Sequence, residues 1–130
     1  MKGINITREQ IDTLNGFSSA PMMGIKELVK AAHSIADSHG WHDTERTFGD
    51  VIALCHSELS EALEEYRDNG YMYWENSNGK PEGIAVELAD VLIRIFDFMG
   101  EYKEIDFEKV VHKKMVYNNT REYRHGGKQL

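Results

Sequence analysis

The stretch HSELSEALEEYR places Glu58, Glu61, Glu64 and Glu65 close together, with Glu58 and Glu61 three residues apart. A second pair, Glu87 and Asp90, has the same spacing in VELADVLIRIF, among residues that favour burial. Residues three apart on a helix lie about 5–6 Å apart at Cβ, so each pair can close on one small ion. Carboxylates left in an apolar interior without compensation are prohibitively costly. Arg94 can offset one charge, but four acids need more, and a divalent cation meets that need. All-oxygen ligation points to Mg2+, with Mn2+ as the alternative, rather than to zinc.

The elements that must position these acids read as helices. A short opening helix is suggested by TREQIDTL, with Thr7 as N-cap and Gln10 closing a capping box. The first long helix spans about 22–39. Its apolar stripe is Ile25, Leu28, Val29, Ala32, Ile35 and Ala36, and Gly40 is its stop. The next runs from a Thr47 cap to about 68, with Asn69-Gly70 as its end. A loop of about a dozen residues, YMYWENSNGKPE, leads to a third long helix over 83–99 with Gly100 as its stop. The fourth is capped by Asp106 and runs to about 118, with Ile105 and Val110 placed for a hydrophobic staple. Strand signals are nearly absent. The expected fold is all-α, a bundle of about four main helices in a single domain over 1–130. Residues 1–20 form a lead-in and 119–130 a basic arm.

The helix over 83–99 is apolar nearly all round, which predicts burial on most sides. Its exceptions, Glu87, Asp90, Arg94 and Asp97, are spaced 3, 4 and 3 and form one polar line. Glu58, Glu61 and Glu65 form a similar line on the preceding helix. For Glu64 and Glu65 alone, a solvent-facing role is the simpler reading. A di-iron bundle would need Glu-x-x-His on its helices. The one such spacing here, Glu122 to His125, lies in the irregular tail.

Glu-x-x-Glu at 58/61 followed by Glu-x-x-Asp at 87/90 on consecutive helices resembles the MazG-like family of all-α nucleotide pyrophosphohydrolases. KPEGIAVELADVLIRIFDF resembles that family's second metal helix, and KKMVYNNTREYRHGGK its C-terminal substrate segment. The resemblance covers about 41–128. It implies a Mg2+-dependent enzyme that cleaves nucleoside triphosphates between the α and β phosphates, giving the monophosphate and pyrophosphate. Glu58, Glu61, Glu87 and Asp90 would be the metal ligands. The ion would bridge acids and phosphates and lower the pKa of a bound water. Glu61 is the candidate to accept that water's proton. Lys114, Asn118 and Arg121 share a face if the last helix reaches that far. With Arg124 and Lys128 from the tail, they would hold the phosphates. Trp41 is the candidate to stack on the base, ahead of Tyr71, Tyr73 and Trp74, and His42 could bond a base edge. The family assembles as dimers or tetramers, so a homodimer or homotetramer is expected. The apolar third long helix points the same way.

Composition narrows the alternatives. The net charge of −7 argues against a partner that is a nucleic-acid polymer, although basic residues gather from Lys109 onward. The single cysteine, Cys55, excludes an intramolecular disulfide or a cysteine-rich zinc site. No apolar run reaches the roughly 20 residues of a membrane span, and the opening lacks the apolar core of a signal peptide, so a cytoplasmic location is expected. Two other functions suit the same residues. One is a metal-dependent hydrolase of another phosphoanhydride or nucleotide-like metabolite. The other is a non-catalytic nucleotide-binding or regulatory helical protein.

Overall fold

The computed structural model describes residues 2–18 and 21–122. Five helices and one small hairpin make up its regular structure: α1 (Arg8–Asn15), α2 (Ile25–Ser38), α3 (Phe48–Asp68), β1 (Trp74–Glu75), β2 (Pro81–Glu82), α4 (Ile84–Gly100) and α5 (Phe107–Asn119). The chain is mostly helical, as its periodicity predicts.

Local chemistry sets most of the boundaries. Thr7 and Gln10 form the expected capping box at α1, and Thr47 and Asp50 form another at α3. Asp106 caps α5 by accepting from the Lys109 amide. After α2, Gly40 turns with a positive φ of 76°. Gly100 is not a stop of this kind. It is the last residue of α4, and Glu101 caps the helix in the right-handed conformation.

Packing centres on α4, which lies against both α2 and α3, while α5 packs on α2. The buried positions of α3 are Val51, Cys55, Glu58 and Ala62, spaced 4, 3 and 4. The stripe that faces α4 therefore carries a carboxylate in its middle. α3 and α4 run antiparallel: Phe48 meets Phe98 at 5.2 Å between ring centroids, and ten residues along α3, Glu58 meets Arg94.

Burial of α4 is less complete than its composition predicts. Leu88, Leu92 and Ile93 are 44%, 51% and 50% exposed. On α3, Ile52, Leu59, Leu63 and Tyr66 are exposed as well. Among the described residues α2 and α3 provide most of the packing on α4, with a smaller contribution from β2, and part of its surface stays open. The buried core is correspondingly small and rich in short side chains, among them Ala32, Ala36, Ala62 and Cys55.

The stretch from Tyr71 to Glu82, expected to be a loop, contains the antiparallel pair β1–β2 with Trp74 opposite Glu82. The reversal is built on Asn76, whose side chain accepts from the amides of Asn78 and Lys80, and on Gly79 with φ of 76°. Asn78-Gly79 is a hairpin-type turn signal. The strands are too short to show alternation, so the sequence betrays only the turn.

Gly83 joins this hairpin to α4. Its φ of 111° is left-handed, and a Cβ there would lie 2.8 Å from the Met72 carbonyl oxygen. A Gly83→Ala protein should lose about 1–3 kcal/mol of stability. Urea denaturation followed by circular dichroism measures this, and an unchanged midpoint would show that the hairpin junction tolerates a side chain.

Candidate metal centre

The seam between α3 and α4 brings the predicted acids together. One oxygen each from Glu58, Glu61 and Glu87 lies within 4.8 Å of the others. A second trio, Glu65, Glu82 and Glu87, meets the same criterion, so Glu87 belongs to both. Asp90 lies beside them and feels the charges of Glu58 and Glu61, but it is not part of either trio.

The helical stripe explains why acids gather here. Glu58 stands on the buried line of α3 and is 8% exposed. Glu61 is one turn further and exposed, while Glu64 faces water. Glu65, which continues the line from Ala62, is half-buried, and its Oε2 is enclosed without a hydrogen-bond partner. Buried polar atoms are nearly always paired. An orphaned carboxylate oxygen within a group of acids therefore fits a cation-binding role.

Arg94 supplies the main countercharge. Its Nε donates to Glu58 Oε1 at 2.7 Å, and its other guanidinium nitrogen approaches the same oxygen at 2.6 Å. Lys80 pairs with Glu82 at 3.0 Å from the hairpin side. Two cations leave much of the acidic charge uncompensated, and the protonation equilibria reflect this. Burial, a hydrogen bond with Glu61 and the charges of Glu61, Asp90 and Glu58 raise Glu87 to about 7 from 4.5. Burial and the Glu58 charge raise Asp90, against the opposing pull of Arg94 and Lys80. The oxygen-only donor set, the raised Glu87 and the orphaned Glu65 oxygen all fit a hard divalent ion such as Mg2+.

Trp41 stands beside this centre. It is 50% exposed, and the Arg94 guanidinium lies 5.4 Å from the centre of its ring. Trp41, Arg94, Met23, Leu28, Ile35 and Ile93 border an apolar cavity of about 420 Å3. The other aromatics are committed locally: Tyr73 donates to Glu75 at 2.9 Å, and Trp74 is half-buried in the hairpin. His42 bonds Asp97 and Asp37.

The cationic residues are placed differently. Lys114 and Asn118 lie on α5, and Arg121 follows its Thr120 cap. Among the described residues, no hydrogen bond or ion pair joins them to the acids. Lys114 instead lies over the Tyr117 ring at 5.2 Å. Arg124 and Lys128 fall outside the described residues.

Sequence reasoning missed Glu82, because an acid in a presumed loop carries no helical spacing. It also missed the grouping of His33, His42 and Arg46 around Asp97. Asp97 reads as part of the α4 polar line, yet it is 6% exposed and faces a different neighbour.

Linkage gives the pH dependence. The folded protein holds the Glu87 proton more tightly than the unfolded chain does. The stability this contributes is fully present below pH 4.5 and is lost as pH rises through about 7. In EDTA, the melting temperature of wild type should therefore fall across that window relative to Glu87→Gln. Mg2+ should raise it most at the alkaline end, where the ion replaces the proton. Parallel melting profiles for the two proteins would remove Glu87 from the charge-coupled centre.

No family model, curated protein or solved structure matches the chain.

Proposed function

We propose that the chain is a Mg2+-dependent nucleoside triphosphate pyrophosphohydrolase. The observation that carries this reading is the convergence of Glu58, Glu61 and Glu87 on one locus, where burial and neighbouring acids raise Glu87. The order and spacing of the two acid pairs, and their resemblance to MazG-like proteins, supply the reaction class. Glu58, Glu61, Glu87 and Asp90 would hold the metal, and Glu65 and Glu82 extend the acidic field. When bound, Mg2+ supplies charge neutralisation and Lewis acidity for a triphosphate that the acids alone would repel.

The chain's own residues then divide the remaining work. Glu61 is exposed enough to meet a water and has a carboxylate oxygen within 4.8 Å of one on Glu87. It would accept the proton of the water that attacks the α phosphorus. The bond from that phosphorus to the bridging oxygen breaks, and pyrophosphate leaves. Trp41 offers an exposed indole for the base beside an apolar cavity. Lys114, Asn118 and Arg121 would bind the leaving pyrophosphate.

Within one chain those cations are not joined to the acids. A homo-oligomer accounts for this and for the uncovered stripe of Leu59, Leu63, Leu88 and Leu92. A second copy laid on that stripe would bury apolar surface and bring its own groups to the pocket.

Phosphorus NMR of the purified protein with a panel of nucleoside triphosphates tests the reaction. Monophosphate and pyrophosphate should appear with Mg2+ and not with EDTA. Orthophosphate with diphosphate would overturn attack at the α phosphorus. Glu61→Gln should lower turnover by about 10²–10⁴-fold with an unchanged circular dichroism spectrum. Normal turnover in that variant would displace Glu61 from the reaction. Light scattering should give a mass above that of one chain, and Leu92→Glu should reduce it; a wild-type mass of one chain would remove the oligomer.

A further inference from the structure

Asp97 organises a second centre, at the other end of α4 from Glu87. Its carboxylate is 6% exposed and gathers three cationic or imidazole groups. Asp97 Oδ1 bonds His42 Nε2 at 2.8 Å and His33 Nδ1 at 3.1 Å. Arg46 donates to Asp97 Oδ2 at 3.0 Å. The two imidazoles stack with ring centroids 4.6 Å apart and an interplanar angle of 29°. Glu101, one turn after Asp97 and exposed, brings a carboxylate oxygen within 4.8 Å of one nitrogen of each imidazole, and those nitrogens lie equally close to each other.

The arrangement has the form of a metal site with its supporting shell. An imidazole that ligates a metal commonly donates its other N–H to a carboxylate, which fixes tautomer and ring orientation. Here one buried carboxylate does this for two imidazoles. His33 keeps Nε2 for a ligand. Both ring nitrogens of His42 already meet carboxylates, Nε2 at Asp97 and Nδ1 at the exposed Asp37 at 3.2 Å, so an ion at Nδ1 would displace Asp37. Arg46 balances the Asp97 charge, so Asp97 is better placed as an anchor than as a ligand.

The surroundings admit an ion and its waters. His42, Arg46, Asp97, Glu101 and Tyr102 border a cavity of about 390 Å3, and His33 borders another of about 640 Å3. The α4 backbone is bare at this point. A Cβ on Gly100 would collide with the His33 side chain, so the missing side chain is what lets the ring lie against the helix end.

We propose that His33, His42 and Glu101 bind one divalent transition-metal ion of the Zn2+ or Co2+ type. Two nitrogen donors and one oxygen donor suit such ions, whereas Mg2+ favours oxygen. The ion would join α2, the connection between α2 and α3, and the end of α4, fixing the segment that carries Trp41. His42 must give up its proton to bind. An imidazole nitrogen binds a metal only in its neutral form, so metal and proton compete there. This site does not depend on the pyrophosphohydrolase reading.

The test is Co2+ and Zn2+ titration of the metal-stripped full chain with Mg2+ present in excess. Co2+ gives a visible d–d spectrum and Zn2+ is measured by chelator competition. One equivalent should bind with nitrogen ligation, weakening as pH falls. His42→Gln and Glu101→Gln should each lower Zn2+ affinity at least about tenfold. Glu101 is exposed, so its variant keeps the fold even if the histidine variant does not. Glu61→Gln should bind Zn2+ as wild type does. Absence of a nitrogen-ligated equivalent, or wild-type affinity in Glu101→Gln, would overturn the proposal.

Discussion

A carboxylate on a packed helical face has to be met by positive charge, and that constraint organises the α3–α4 seam. Glu58 sits on the same line as Val51, Cys55 and Ala62, so it cannot turn to water without separating the helices. Arg94 meets it from α4. Removing one partner of such a buried pair leaves the other uncompensated, which costs far more than the pair itself contributes. Glu61, Glu65, Glu82 and Glu87 are then drawn to a locus where the countercharge is already in use. The raised Glu87 follows from burial first and then from the neighbouring Glu61, Asp90 and Glu58.

The polar line of α4 serves two neighbours. Glu87, Asp90 and Arg94 face the acids of α3, while Asp97 meets His33 of α2 and His42 and Arg46 of the connection into α3. The antiparallel course of α3 produces this division. α3 begins near Phe98 and only later reaches Arg94 and Glu87, so the segment that precedes it passes beside Asp97. One straight line of polar residues thus gathers oxygen donors at one end and nitrogen donors at the other.

The sequence discloses those features that leave a local trace. Thr7 and Thr47 announce helix starts because capping is chemistry between near neighbours. The acid pairs at 58/61 and 87/90 are legible because helical spacing guarantees that each pair shares a face. That Glu87 joins Glu58 and Glu61 while Asp90 stays outside the trio is not legible, because crossing register is set by packing and not by spacing. The Asp97 group joins residues from three segments and has no motif. The hairpin left only its Asn78-Gly79 turn as a sign. Gly100 reads as a helix stop because chain reversal and close approach call for the same residue, and here it is close approach to His33 that does so.

Charge placement leads to the last step. The basic residues from Lys109 onward and the acids of α3 and α4 belong to opposite ends of the chain's charge distribution. If both bind the same triphosphate, they have to meet at its two sides, metal-held oxygens on one and lysine and arginine on the other. α5 packs chiefly on α2, and among the described residues no hydrogen bond or ion pair joins Lys114 or Asn118 to the acids. The apolar stripe left open on α3 and α4 is where another copy gains most by docking, since burial scales with apolar area removed from water. In the oligomer proposed above, assembly and site completion would both follow from the same uncovered surface.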